Sequence, residues 1–283
     1  MEVCHEVPER RLDLILHSPG GFPQAAEQML NYLRTQFDYI RALVPLQAKS
    51  AATMLALGAD EIVMGRHSEL GPIDPQIIVP VPEGSRPAPA HAILRDFQRA
   101  KDEIATDTGK LPAWTPILRG YAGGLIDFCS QQIALSQEVV AGWLEEHMLS
   151  HDDAGIPAGE REEVAKGIAG YFGSEDSYDR FRTHSRPIRV EELEGIRGLR
   201  VRRLEQDDDL QDAVLSIYHA LDLTFSGPAI KIVENHVGAR YVRIQHQIIV
   251  QGGPAVTPTP AVPPSKPKPQ GNRAERRRQQ RAR

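Results

Sequence analysis

Short apolar runs alternate with helical stripes in the first quarter of the chain. The runs at 12–17 (LDLILH), 39–44 and 61–65 have the length of buried strands. Between the first two, apolar residues at 22–37 are spaced so that they share one helical face. A helix of small residues at 50–57 separates the second strand from the third. This order predicts βαβ units and a parallel sheet in an α/β fold.

The pattern changes after residue 66. A loop rich in Gly and Pro (67–76) leads to a short strand at 77–81 and then to a Pro-rich loop that ends at 89. Helical periodicity continues, with breaks, from 90 to 172. A second short α/β stretch follows, with a strand at 187–190, a second strand at 200–205 and a helix at 210–221. We expect one α/β domain with a helical extension.

Charge divides the chain into two regions. The 283 residues carry a net charge of −5, and 41% of them are hydrophobic, which is ordinary for a globular protein. The segment 254–283 holds eight Lys or Arg, one Glu and seven prolines, a net of +7, so the remainder carries −12. We therefore predict a folded acidic domain over residues 1–252 and a disordered, Pro-rich basic tail over 253–283.

Cysteine content and hydropathy indicate the cellular compartment of the protein. Cys4 and Cys129 are too few for a disulfide framework, which favours a reducing compartment. The first residues (MEVCHEVPERR) lack the pattern of a signal peptide, and no window of about 18 apolar residues is present. The sequence predicts a cytoplasmic protein; if an N-terminal segment is missing from it, that segment would instead allow membrane association.

Two turns carry the candidate chemistry. The first, SPGG at 18–21, follows the first strand and presents backbone amides at the start of a helix, where an anion can bind. The second, QAKSAA at 47–52, places Ser50 at a helix start beyond the next parallel strand. A serine beside an oxyanion hole suits acyl transfer. Taken singly, SPGG is a common turn and Ser50 an ordinary N-cap.

HSPGG followed by QAKSAATMLALGADEIVMG resembles the Clp/crotonase superfamily of serine peptidases. With HSELGPIDPQ, it is most similar to the serine dehydrogenase proteinases, which are related to the signal peptide peptidase A family. The resemblance covers roughly residues 12–222 and is specific in its first 70. It implies a spiral of ββα units and peptide-bond hydrolysis. By the same likeness Ser50 is the nucleophile, and the Gly20-Gly21 turn and Ala51 supply the oxyanion hole through the amides of Gly21 and Ala51.

The general base stays open among several residues. Clp peptidases place a histidine 25 residues after the serine, and that position is Pro75 here. Ser-Lys peptidases of the related family place a lysine some 40 residues after it, where this chain has His91. A histidine can act as a base at neutral pH. His184 lies where Clp peptidases carry their catalytic acid, and it can complete or replace the base.

Two further residues lie near the candidate machinery. Lys49 adjoins the nucleophile, but adjacent side chains of an extended segment point to opposite faces, so direct proton transfer is difficult. Its alternative roles are to raise the local potential or to contact a neighbouring subunit. Asp74 either orients a histidine or shapes its loop, and the structural role is the favoured one.

Neither a metal nor a nucleic acid is expected. His147 and His151 are spaced to share one helix face, but no third ligand is evident, and histidines near a helix C-terminus interact favourably with its dipole. The basic tail has no aromatic residue on which bases could stack. No organic cofactor is needed for the proposed hydrolysis.

The resemblance also implies partners, and two other functions remain as alternatives to the peptidase. It implies a homo-oligomer that acts on a peptide or protein substrate, and an ATPase or membrane-associated partner is compatible with it. Members of the family usually have strands and a helix before the strand at 12–17, whereas only about eleven residues precede it here, so we expect a longer natural N-terminus. The alternatives are an inactive peptide-binding or scaffold relative and a crotonase-type acyl-CoA enzyme.

Overall fold

A computed structural model describes residues 10–81, 84–234 and 240–245. The strands in these ranges are β1 (Arg11–Ile15), β2 (Tyr39–Val44), β3 (Gln47–Ala48), β4 (Glu61–Met64), β5 (Glu69–Leu70), β6 (Gln76–Val81), β7 (Gly84–Pro89), β8 (Ile188–Arg189), β9 (Val201–Arg203), β10 (Ala229–Glu234) and β11 (Arg240–Ile244). The α-helices are α1 (Pro23–Gln36), α2 (Ala51–Leu57), α3 (Ala90–Thr106), α4 (Leu111–Arg119), α5 (Leu125–Glu146), α6 (Arg161–Gly173), α7 (Glu175–Phe181), α8 (Val190–Leu193) and α9 (Asp208–Phe225).

The main sheet is parallel, as the apolar pattern predicts. Its strand order is β1-β2-β4-β9, and every neighbouring pair is parallel. Helix α1 connects β1 to β2. In the central strands Ile40, Ala42, Ile62 and Met64 are fully buried. Such strands are covered on both faces, which is why they form continuous apolar runs rather than alternating ones.

A second, smaller sheet has the order β3-β5-β8. Strand β3 is parallel to β5, and β5 is antiparallel to β8. Ser18 forms an isolated parallel bridge to Ala48 at its outer edge. The sequence predicts only a turn and a loop for β3 and β5, because a strand of two residues has no periodicity to detect. This sheet brings the candidate site residues to one edge.

The Pro-rich stretch before residue 89 is wrongly predicted as a loop. It forms β7, which pairs with β6 in an antiparallel hairpin with Gln76 opposite Pro89. Pro80 and Pro87 fit there because prolines are tolerated in edge strands, whose outward amides need no partner. The predicted helical stretch 90–172 is present as α3 to α6, of which α5 and α6 pack on each other.

The described residues up to Ile244 belong to one compact unit. The predicted tail over 253–283 lies outside the described residues, as does Cys4. Within the part of the chain that is described, no helix has both the length and the apolar character needed to cross a membrane.

Candidate functional site

The small sheet aligns three loops at one edge. Ser50 lies two residues after β3, Asp74 lies four residues after β5, and His184 lies four residues before β8. Leu70 pairs with Ile188 in the antiparallel register of β5 and β8. The same register, continued for four residues, sets Asp74 opposite His184. Because β3 and β5 are parallel, Ser50 leaves the sheet at this same edge.

Ser50 has a strained backbone. Its φ of 52° and ψ of −119° lie where residues other than glycine are rarely found, and α2 begins at the next residue. Thr53 holds the turn, since its hydroxyl donates to the Ala48 carbonyl (2.6 Å) and accepts from the Gly71 amide (3.0 Å). The Ser50 side chain is half-buried, and its Oγ makes no hydrogen bond within the described residues. Strain of this kind is typical of a nucleophile at a strand-to-helix turn.

The SPGG turn is attached to the strand before Ser50. The Ser18 amide donates to the Gln47 carbonyl (2.9 Å), and the Lys49 amide donates to the Ser18 carbonyl (3.0 Å). Gly20 has a φ of 110°, and a Cβ there would lie 2.8 Å from the Ser50 Cβ. Only glycine permits this approach of the turn to the nucleophile.

The amides around Ser50 differ in what they bind. The Gly20 amide already donates to Ser18 Oγ (3.1 Å), so it is occupied. The amides of Gly21 and Ala51 have no hydrogen-bond partner within the described ranges. Gly21 is exposed, and Ala51 is the first residue of α2. Of the residues predicted for the oxyanion hole, Gly21 and Ala51 thus have free amide donors. Gly20 has no free donor, but its positive φ allows the turn to lie against Ser50.

Asp74 and His184 form a direct pair. The Nδ1–H of His184 donates to Asp74 Oδ1 at 2.7 Å, and Asp74 is only 3% exposed. The second carboxylate oxygen, Oδ2, accepts from Gln76 Nε2 at 2.7 Å. A carboxylate that accepts from Nδ1 fixes the tautomer and leaves Nε2 with a lone pair. Sequence reasoning missed Gln76, although its position two residues after the aspartate in DPQ is a usable signal.

His91 lies in a different environment from the one that its spacing suggests. Its side chain is buried in the first turn of α3, and Nε2 lies 3.0 Å from the Gly173 carbonyl at the end of α6. Its ring stacks on Tyr178 with 5.6 Å between centroids. Because a carbonyl can only accept, Nε2 is the protonated nitrogen. These contacts give His91 a packing role between helices.

Lys49 points into the small sheet. Its Nζ forms an ion pair with Glu69 Oε1 at 2.7 Å and lies 3.3 Å from the Leu70 carbonyl. The stem crosses Gly71, where a Cβ would lie 2.8 Å from Lys49 Cδ. An ion-paired ammonium has no lone pair with which to accept a proton. Lys49 therefore anchors β3 to β5 beneath the nucleophile turn.

Of the two histidines considered for zinc, His151 belongs to a structural network at the start of β2 and β4. His151 Nε2 lies 2.7 Å from Asp60 Oδ1, and Asp60 also accepts from Arg34 and from the Ile40 amide. Burial raises the pKa of Asp60, but these hydrogen bonds outweigh it, and the net pKa is lowered. Burial lowers the pKa of His147. The described residues contain no group of three or more His, Cys, Asp or Glu arranged to hold a metal ion.

A small cleft is lined by residues that lie near the site residues along the chain. Three of its wall residues closely follow site residues along the chain: Pro23 follows Gly21, Met54 follows Ser50, and Pro75 follows Asp74. Helix α5 closes the other side with residues that include Leu135 and Val139. Its walls also include the polar side chains of Gln24, Glu27 and Gln132.

Comparison with known proteins supports the resemblance found in the sequence. Residues 3–112 match the family of ClpP-like SDH-type serine proteinases. Two uncharacterized proteins of Methanocaldococcus jannaschii are similar: MJ0137 is 40% identical over 82 residues, and MJ1495 is 34% identical over 97 residues. The matched segments are 29% and 34% of this chain but span only 27% and 30% of those relatives. No solved structure matches.

Proposed function

From the match of residues 3–112 to the ClpP-like SDH-type serine proteinases, we propose that this protein is a serine peptidase that hydrolyses peptide bonds through Ser50. The observation that carries the proposal is that one edge of the small sheet holds the loops of a strained serine with free backbone amides beside it and of an Asp–His pair with a buried carboxylate. By the resemblance we further propose a spiral of ββα units, a homo-oligomer and a peptide or protein substrate. Two successions along the chain, each of two extended segments followed by a helix, support the spiral. One is β2, β3 and α2; the other is β1, the bridge at Ser18 and α1.

In the proposed mechanism, Ser50 Oγ attacks the carbonyl carbon of the scissile bond. His184 Nε2 accepts the hydroxyl proton as the C–O bond forms, and the carbonyl π electrons move to oxygen. In this proposal the free amides of Gly21 and Ala51 donate to that oxyanion, because preorganised backbone donors stabilise the charge without reorganisation. The imidazolium then protonates the leaving amine as the C–N bond breaks. Water, deprotonated by the same nitrogen, hydrolyses the acyl-enzyme and regenerates the serine.

Asp74 and Gln76 support this cycle without taking a proton. The buried carboxylate stabilises the imidazolium that forms on His184, because charge–charge attraction is strong where water is excluded. Gln76 donates to Oδ2, and this bond holds Oδ1 toward the ring. We therefore assign His184 as the base in preference to His91, which is buried between helices with Nε2 bonded to the Gly173 carbonyl, and to Lys49, whose Nζ is ion-paired with Glu69.

The test is serine-directed labelling of the full chain with a fluorophosphonate probe. We expect wild-type protein to be labelled and Ser50→Ala to remain unlabelled. His184→Gln should slow labelling at least about a hundredfold, as expected for loss of a general base. His91→Gln and Lys49→Met serve as matched controls and should stay within about tenfold once correct folding is verified by circular dichroism.

Absence of labelling in folded wild-type protein at high probe concentration would overturn the peptidase proposal and leave the inactive peptide-binding relative. Equal labelling of wild type and His184→Gln, with a large loss in His91→Gln, would instead move the base to His91. Binding of a CoA thioester that survives Ser50→Ala would indicate the acyl-CoA alternative.

A further inference from the structure

Thr53, in the first turn of α2, forms hydrogen bonds that lead out of its own helix. A threonine inside a helix ordinarily bonds to the carbonyl three or four residues before it. The Thr53 hydroxyl instead donates to the Ala48 carbonyl in β3 (2.6 Å) and accepts from the Gly71 amide directly after β5 (3.0 Å). The side chain is fully buried, so water does not compete for either bond. A single oxygen atom thus links β3, β5 and α2.

This link lies where the two strands separate. Ala48 and Leu70 are the last paired residues of β3 and β5. Beyond them the chain after β3 turns into the strained Ser50, whereas the chain after β5 continues to Asp74. The Thr53 hydroxyl therefore joins the branch that carries the nucleophile to the branch that carries the Asp–His pair.

The branch that leads to Asp74 is short and held in place. Residues 71–74 are all buried, and the Ile73 amide donates to the Phe172 carbonyl near the end of α6 (3.0 Å). The proline at position 72 restricts the backbone further, because its ring fixes φ. The position of the Gly71 amide thus determines where the carboxylate lies three residues later.

The other branch carries two groups of the proposed mechanism. Ser50 caps α2, and Ala51, whose amide is free, is the first residue of that helix. A backbone with a φ of 52° at Ser50 persists only where the surrounding contacts determine it. The two hydrogen bonds of Thr53 are contacts of this kind, because they hold the first turn of α2 against both strands.

We propose that Thr53 is a positioning residue, whose hydroxyl sets the separation between Ser50 and the Asp74–His184 pair without touching substrate. This role rests on the proposed peptidase function. A displacement of about 1 Å can cost about a hundredfold in rate, because the reacting atoms must approach within about 3–3.5 Å. A variant that lacks only the hydroxyl should therefore fold and still react slowly.

Ser68 provides the matched comparison. Its hydroxyl is also fully buried, donates to the Val44 carbonyl (2.7 Å) and accepts from the Gly65 amide (3.0 Å). It links the ends of β2 and β4 and precedes β5, whereas Thr53 contacts the residue that follows β5. Removal of either hydroxyl takes away the same kinds of hydrogen bond. A merely structural hydroxyl predicts equal effects at the two positions on stability and on reactivity.

The test compares fluorophosphonate labelling of the full chain in Thr53→Val and Ser68→Ala, with urea unfolding followed by circular dichroism as the measure of structural cost. We expect Thr53→Val to slow labelling at least about tenfold, whereas Ser68→Ala should stay within about threefold of wild type. The pH midpoint of the labelling rate should stay within about 0.3 pH units of wild type in Thr53→Val, because the bond between Asp74 and His184 is unaltered.

A second pair of variants keeps the proposal testable if Thr53→Val fails to fold. Thr53→Ser and Thr53→Ala both lose the threonine methyl group and differ only in the hydroxyl, so Thr53→Ser should label at least about tenfold faster than Thr53→Ala. Equal labelling of these two, equal losses in Thr53→Val and Ser68→Ala, or a pH midpoint moved by more than about one unit overturns the positioning role and leaves the peptidase proposal standing. Folded wild-type protein that is never labelled overturns both.

Discussion

Gly20 lies so close to the nucleophile that a single methyl group tests the site's geometry. In Gly20→Ala the new Cβ would lie 2.8 Å from both the Lys49 carbonyl oxygen and the Ser50 Cβ, and the backbone would have to keep a φ of 110°. Neither neighbour is the free end of a flexible side chain. Holding a non-glycine residue in this region costs about 1–3 kcal/mol, and relieving the overlap adds about 1–3 kcal/mol. We expect a loss of roughly 2–6 kcal/mol in the free energy of unfolding.

The adjacent glycine provides the control. A Cβ at Gly21 would have no atom within 4 Å, and its φ is not in the left-handed region, so Gly21→Ala should change stability by less than about 0.5 kcal/mol. Urea unfolding followed by circular dichroism measures both variants. Fluorophosphonate labelling should slow at least tenfold in Gly20→Ala, because the turn and Ser50 must move apart, and should change little in Gly21→Ala. Equal stability and equal labelling of the two variants would show that the turn does not pack on the serine.

Further predictions follow from polar side chains that are buried or half-buried. Asp74→Asn should reduce kcat/KM on a cleaved peptide about a thousandfold or more with folding retained, since the wrong imidazole tautomer is then favoured; a loss below tenfold would remove Asp74 from the mechanism. Gln76→Ala should lower kcat with little change in KM, because it frees the carboxylate without touching substrate, and an effect confined to KM would contradict a positioning role. Burial lowers the pKa of His147, so the unfolded chain binds a proton there first as pH falls below about 6.5, and stability should decline on the acid side. His147→Gln should flatten that decline between pH 7 and 5 in urea titrations, and an unchanged slope would exclude this histidine as its source. The lowered pKa of Asp60 also makes the protein less stable as the pH falls, but at lower pH. The stabilisation from Asp60 is complete above the unfolded-state pKa of about 3.9 and is lost as the pH falls through the pKa of the folded state.

Spacing along the chain suggested His91 as the base, and tertiary contacts do not support it. The interval of about 40 residues leads to the first turn of α3, where hydrogen bonding to Gly173 and stacking on Tyr178 engage the ring. His184 lies 110 residues after Asp74, and a hydrogen bond nevertheless joins them. A long segment that contains β6, β7 and the five helices α3 to α7 separates the two loops, so sequence distance carries no information about their contact.

The sequence by itself determined the parallel sheet, the helices around it and the two turns that carry Ser50 and Gly21. These features are local: apolar runs, helical stripes and glycine turns report on neighbours within a few residues. Tertiary structure alone decided which histidine meets Asp74, because the strands β3, β5 and β8 have only two residues each and take their register from the packed domain. It also decided that the apolar stripe of α9 extends beyond the core, with Val214 buried but Leu221 and Phe225 exposed. A stripe in sequence does not say whether the domain is large enough to cover it.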